Sequence, residues 1–260
     1  MAAPKKSLGQ HWLKDRDILN GIADAARIDE SDTVLEIGPG LGTLTSELLR
    51  RAKKVIAVEL DRDLARKLPA QFPGTSLEVV NQDILTYDLT QLPKGYVVAA
   101  NVPYYITSKI IKLLTTSSNP PRTIVLLIQK EVAERIVAKP GDMSILAVSA
   151  QVYSDAHLGD LVPAEFFTPP PKVDSQVVIL DTFDKPKVDE EDLKSFFRVV
   201  KAGFSAKRKK LRSSISSGLH LSKPEAEALL NEAGIRPDDR AEQLSVEDWL
   251  RLTKVIDRTK

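Results

Sequence analysis

The stretch Thr33-Val34-Leu35-Glu36-Ile37-Gly38-Pro39-Gly40-Leu41-Gly42 decides the fold. Its first five residues are mainly branched and apolar without alternation, as in a strand buried on both faces. Glycines at 38, 40 and 42 then mark a place where the chain turns sharply and backbone can approach a ligand. A helical pattern follows over residues 43–50. The same unit repeats outward: apolar runs at 54–59, 76–80, 95–100 and 123–129 alternate with helical patterns at 61–69, 105–115 and 130–138, and a helix over 15–28 precedes the first strand. This alternation predicts a parallel, doubly wound α/β sheet with right-handed crossovers. Two later strands, at 148–158 and 173–181, flank turn-rich residues 162–172. They are joined too tightly for a crossover helix and are expected as an antiparallel pair at one sheet edge, making seven strands.

Past Asp181 the texture changes. Residues 182–186 read as a linker, followed by helical patterns at 189–202, 206–217, 222–232 and 245–257. Gly203, Gly218 and Gly234 are read as helix stops, and Ser245 with Asp248 has capping-box spacing. The expected organisation is an N-terminal extension plus catalytic domain over 1–183 and a small all-helical domain over 184–260.

The 260 residues are 42% hydrophobic and 28% charged, an ordinary soluble balance, and no run of 18 apolar residues suggests a membrane span. Cysteine is absent, which excludes disulfides and thiolate catalysis; with only three histidines no metal site is expected. Without an apolar leader at the N-terminus, the simplest expectation is a cytoplasmic enzyme. The net charge of +1 hides a basic tract: eight lysines and arginines against one acid between Asp192 and Arg212. Lys5, Lys6, Lys14 and Arg16 form a smaller group. Such patches bind phosphates while distant acids cancel the total.

A dinucleotide-binding loop would have Gly-x-Gly-x-x-Gly to seat a pyrophosphate. Here the third glycine comes one place early, and Glu36, at the strand end, would repel a pyrophosphate. A cofactor bearing an ammonium and a sulfonium, S-adenosylmethionine, fits better, with Gly38 and Gly40 giving close approach. Glu59 ends the second strand, placed to accept ribose hydroxyls, and Asp83 follows the third, placed to accept an adenine amino group. Three acids at successive strand ends face one crevice. The fold expected is thus the class I S-adenosylmethionine-dependent methyltransferase fold.

The fourth strand ends in Asn101-Val102-Pro103-Tyr104-Tyr105. This combination suits methylation of an exocyclic amine. Adenine N6 is a poor nucleophile because its lone pair is delocalised into the ring. The Asn101 side-chain oxygen and the Val102 carbonyl can each accept an N6 hydrogen, favouring a pyramidal nitrogen. Pro103 fixes the backbone, and Tyr104 offers a face for a flipped base. Residues 8–13 can fold over the cofactor, with His11 lining it. Of the adjacent Phe166 and Phe167, one is expected in the core and the other, taken as Phe167, on the far face of the base.

The chain resembles the small-subunit (16S) ribosomal RNA adenine N6,N6-dimethyltransferase family, the bacterial enzymes whose loss gives kasugamycin resistance. The resemblance is carried by residues 6–13, 35–42, 58–61, 101–106, 129–135, 167–175 and 204–211. Gln129–Arg135 and Lys172–Ser175 are its most restrictive parts. It implies dimethylation of two adjacent adenines in the 3′-terminal hairpin of 16S rRNA, on an immature small subunit. It also implies cofactor contacts from His11, Leu13, Gly38, Glu59, Asp83 and Asn101, and base contacts from Asn101 and Tyr104. RNA contacts are expected from Lys5, Lys6, Lys201, Lys207, Arg208, Lys209 and Arg212, in a monomer with no membrane or DNA partner. Val102 stands where leucine is usual, Trp12 where phenylalanine is usual, and lysines replace arginines after Phe204, leaving charge but fewer bidentate contacts. The alternatives are the related large-subunit (23S) adenine methyltransferases of the macrolide-resistance type, and a non-catalytic assembly factor that binds RNA through the basic tract.

Overall fold

The computed structural model describes Lys5, residues 9–206 and residues 208–259. A short strand β1 (Trp12–Leu13) leads into α1 (Arg16–Ala25), which Asp15 caps by accepting from the Asp17 and Ile18 amides. Five strands follow, four of them leading into helices: β2 (Thr33–Ile37) and α2 (Thr43–Leu49), β3 (Lys54–Glu59) and α3 (Arg62–Lys67), β4 (Leu77–Asn81), which leads only into short turns, β5 (Val97–Asn101) and α4 (Thr107–Thr115), then β6 (Thr123–Gln129) and α5 (Lys130–Ile136). After α6 (Ile145–Gln151) come β7 (Ser154–Val162), β8 (Phe167–Thr168) and β9 (Ser175–Thr182). The seven-stranded sheet runs β4-β3-β2-β5-β6-β9-β7, with the first five parallel and β9 antiparallel to both neighbours. The order reverses between β2 and β5, so the crevice beyond their carboxyl ends is the natural ligand position.

The apolar runs are buried as their patterns require. Val34, Val55, Val97, Val125 and Leu127 meet Leu19, Ile22 and Ala23 of α1 and Leu44 and Leu48 of α2 in one core. Clearing this set from water is the main force holding α1 and α2 on the sheet.

Two features differ from expectation. The strand expected from residue 148 begins at Ser154, because residues 145–151 form α6, capped by the Ser144 side chain on the Ala147 amide. The other concerns the division of the chain. One compact unit comprises residues 1–134 and 154–183, the other residues 135–153 and 184–260. The helical unit is thus not the continuous 184–260, because Met143, Ala147, Val148, Val152 and Tyr153 share a core with the C-terminal helices.

Those helices are α7 (Leu193–Phe204), α8 (Leu211–Leu219), α9 (Lys223–Glu232) and α10 (Val246–Arg258). Ser245 and Asp248 form the anticipated capping box on α10. Gly234 follows α9 with positive φ, as a stop should. Gly203 and Gly218 instead lie inside α7 and α8. A Cβ on Gly203 has no room against the Trp249 ring, and one on Gly218 would fall 2.6 Å from Ala202 Cβ. These two glycines permit close packing and do not end helices.

Candidate active site

The crevice at the switch point is walled by the loops after β2, β3, β4 and β5 and by the chain entering β1. Its ionisable lining, among the described residues, is Glu36, Glu59, Asp83, His11 and two tyrosines; no lysine or arginine lines it. This charge balance rejects a polyphosphate and favours a cation.

Glu36 is 1% exposed at the end of β2. The Thr45 hydroxyl donates to its carboxylate at 2.6 Å. Burial, reinforced by the neighbouring Glu59 charge against the Thr45 bond, pushes the Glu36 carboxyl up to about 8. Glu59, also buried, accepts from the Gly40 amide at 3.0 Å and the Asp61 amide at 2.8 Å. Burial raises its carboxyl too, against these amides, which favour the ionised form. Asp83 caps the turn over residues 84–86, accepting from the Leu85 amide, and lies at the crevice wall.

The glycine loop is built for close approach. Gly38 has φ +67°, and a Cβ there would meet nothing within 4 Å, so its backbone faces open space at the crevice. Gly42 differs: a Cβ would strike Leu68 at 2.7 Å, so this glycine serves packing. The N-terminal arm is pinned over the loop. Thr43 Oγ1 donates to the Leu13 carbonyl at 2.8 Å, and β1 pairs antiparallel with β8, Leu13 opposite Phe167. Leu13 is buried and His11 half-buried, both at the crevice wall.

Asn101 ends β5, and its Nδ2 donates to the His11 carbonyl at 3.3 Å. A carbonyl can be met only by the amide nitrogen, so Asn101 Oδ1 is left as the acceptor on the other side. Val102 is buried, Pro103 initiates the turn over residues 104–106, and Tyr104 stands half-buried with its ring nearly parallel to His11, centroids 6.1 Å apart at 18°. Burial raises the Tyr104 phenol.

The structure corrects the reading of the two phenylalanines. Phe167 is 3% exposed and belongs to the core with Leu13 and Val162, whereas Phe166 is 39% exposed. β8 pairing turns Phe167 inward. Among the proposed RNA-contacting cations, Lys5 is already engaged: its Nζ lies 2.9 Å from Asp61 and 3.2 Å from Asp63. Arg212 is likewise paired, with Glu227 and Asp238. Lys201, Arg208 and Lys209 are exposed. Lys6 and Lys207 lie outside the described residues. Lys194 and Arg198, two of the eight cations of the basic tract, line a groove on α7 with Phe197 and Lys201; their i, i+3, i+4, i+7 spacing was the available signal that they share one face, and Phe197 was not foreseen there.

Fold and crevice together define an S-adenosylmethionine-dependent methyltransferase of class I. The residues present fit that cofactor, since buried carboxylates with, among the described residues, no lysine or arginine lining the crevice beside them, and an open glycine backbone, suit a cationic ligand. A family model described as ribosomal RNA adenine dimethylase matches residues 1–258. The chain is 44% identical over 255 residues to ribosomal RNA small subunit methyltransferase A of Dehalococcoides mccartyi strain CBDB1, covering 95% of this chain and 87% of that protein. It is 40% identical to the protein of the same name from Clostridioides difficile strain 630, covering 96% and 90%. Among solved structures, a dimethyladenosine transferase from Plasmodium falciparum has TM-score 0.82 at 29% identity, covering 95% of this chain and 98% of that one. The 23S rRNA methyltransferase ErmE has TM-score 0.78 at 30% identity, covering 95% and 99%. This chain belongs to the ribosomal RNA adenine dimethylase family and is an rRNA adenine dimethyltransferase.

Proposed function

We propose that the chain dimethylates N6 of two adjacent adenines in the 3′-terminal hairpin of 16S rRNA, acting as a monomer on immature small subunits in the cytoplasm. The observation that carries the chemistry is the Asn101 amide. With Nδ2 committed to the His11 carbonyl, Oδ1 accepts an N6 hydrogen, and the Val102 carbonyl accepts the second. Holding both hydrogens localises the nitrogen lone pair and aims it into the crevice. S-adenosylmethionine, when bound, supplies an electrophilic methyl group on a sulfonium. Glu36 balances positive charge, Glu59 and Asp83 hold hydroxyl and amino groups, and His11, Leu13, Gly38 and Gly40 line the seat. Tyr104 is the platform for the base. No strong base is required, because the proton can leave after methyl transfer.

For RNA, Lys201, Arg208 and Lys209 supply exposed positive charge in the helical unit, which suits a phosphate backbone. The small-subunit target is favoured over the large-subunit one by the 40–44% identity to proteins named for the small subunit, against 30% to ErmE. The test is to map methylated adenines on small-subunit rRNA from cells lacking, then regaining, this protein. The expected result is two dimethylated neighbours that vanish and return. Activity confined to protein-free 23S RNA would overturn the assignment.

A further inference from the structure

The two most restrictive stretches of the sequence, 129–135 and 172–175, have no part in the chemistry described so far, yet they meet beside it. Gln129, the last residue of β6, is the register partner of Ser175, the first of β9, and Val162 of β7 pairs Ser175 from the other side. The preceding residue is tied as firmly: Lys130 donates its amide to the Asp174 carbonyl at 3.0 Å, and Asp174 Oδ1 accepts the Ala164 amide at 3.0 Å. Ser175 itself is 0% exposed. Its hydroxyl nevertheless reaches across 71 positions of sequence to the Tyr104 hydroxyl, at 2.6 Å.

We propose that Ser175 is a positioning residue for methyl transfer: its hydroxyl, held by two neighbouring strands, sets the tilt of the Tyr104 ring on which the target base stacks. The proposal rests on the reading of Tyr104 as that platform. Tyr104 opens a short turn, and one bond at the phenol oxygen fixes its side-chain torsions without touching the ring face. His11, across the gap, is held similarly, donating Nδ1–H to the Pro169 carbonyl at 2.7 Å. Residues 169–175 therefore tie down both rings, from a loop that contributes neither. A stacked base needs a fixed plane if its amino nitrogen is to keep one line of attack, so loss of the tether acts on the chemical step more than on binding.

The test compares four variants with small-subunit particles lacking the modification, reading kcat, KM for the particle, cofactor affinity by calorimetry and thermal stability. Tyr104→Ala removes the platform; a kcat/KM loss of about a hundredfold is expected. Ser175→Ala and Tyr104→Phe break the tether from either end while sparing the ring, and each should lower kcat about tenfold with KM and cofactor affinity nearly unchanged. The double variant Ser175→Ala/Tyr104→Phe should be no worse than either single one. Losses that multiply in the double variant, or wild-type kcat in both single variants while Tyr104→Ala fails, would overturn the role of Ser175 and leave the platform standing. Normal activity of Tyr104→Ala would remove the platform and the proposal with it. If Ser175→Ala does not fold, Tyr104→Phe decides alone, since it leaves β9 intact: an unchanged kcat overturns the proposal.

Discussion

In the crevice of the first unit the carboxylates are Glu36, Glu59 and Asp83, the first two buried; on the helical unit Lys194, Lys201, Arg208 and Lys209 stand exposed on α7 and the turn after it. The difference is more than sign. In the crevice each group has defined partners, such as Thr45 on Glu36 and the Gly40 and Asp61 amides on Glu59, in surroundings that magnify every charge. On the helical unit the charges work by sum, in solvent, and are screened by salt. A site of the first kind is sensitive to single atoms; a surface of the second kind responds to the number of charges removed.

The largest expected effect breaks the first region alone. Asn101→Ala should lower methyl transfer by about a hundredfold or more, because the amino nitrogen loses its orienting acceptor, while particle binding persists. Rate and binding assays on one preparation check this; unchanged transfer would remove Asn101 from the mechanism. The second acts on the other region. Replacing Lys201, Arg208 and Lys209 together by alanine should weaken RNA binding about tenfold or more at moderate salt and flatten the dependence of log K on log salt, with kcat preserved at saturation. A salt slope equal to that of the unaltered protein would show that RNA is gripped elsewhere.

Glu36 sharpens the comparison through pH. Its carboxyl, raised to about 8, favours the folded state in the protonated form; that contribution is full below the ordinary carboxyl range and is lost as pH rises through about 8. A cation in the crevice favours the ionised form, so cofactor affinity should rise severalfold between pH 6.5 and 8.5, with proton release at the lower pH. Glu36→Gln should abolish this pH dependence and weaken cofactor binding, yet leave thermal stability at pH 8.5 undiminished or higher, since a buried charge with no basic partner among the described residues has been removed. Calorimetry in buffers of different ionisation enthalpy reads the proton directly. The smallest effect is expected at Arg212, whose charge is matched by Glu227 and Asp238. Arg212→Ala should change RNA affinity little and stability by no more than about 1 kcal/mol, measurable by denaturant titration.

Much of the fold was legible in the chain. The strands at 33–37, 54–59 and 123–129 occupy the positions that their apolar runs indicate, since a strand buried on both faces leaves an unbroken signature. The start of β7 was not legible: Ile145, Val148 and Val152 suit either element, and α6 formed because Ser144 caps it and its apolar residues join the helical unit's core. β1 and β8, at two residues each, are too short to carry a period. Phe166 and Phe167 are chemically identical neighbours, and only the pairing of Leu13 with Phe167 decides which one turns inward.

By itself, then, the sequence determined the sheet, the switch-point crevice, the acids at its strand ends and the Asn101–Tyr104 motif. These are local matters of periodicity, turn chemistry and residue type. Tertiary structure decided what depends on residues far apart in the chain. It assigned Lys5 and Arg212 to ion pairs, committed the Asn101 nitrogen to His11, brought residues 143–153 into the helical unit's core and joined Tyr104 to Ser175. A hydrogen bond between positions 104 and 175 leaves no local pattern, because its geometry exists only once β5, β6 and β9 lie side by side.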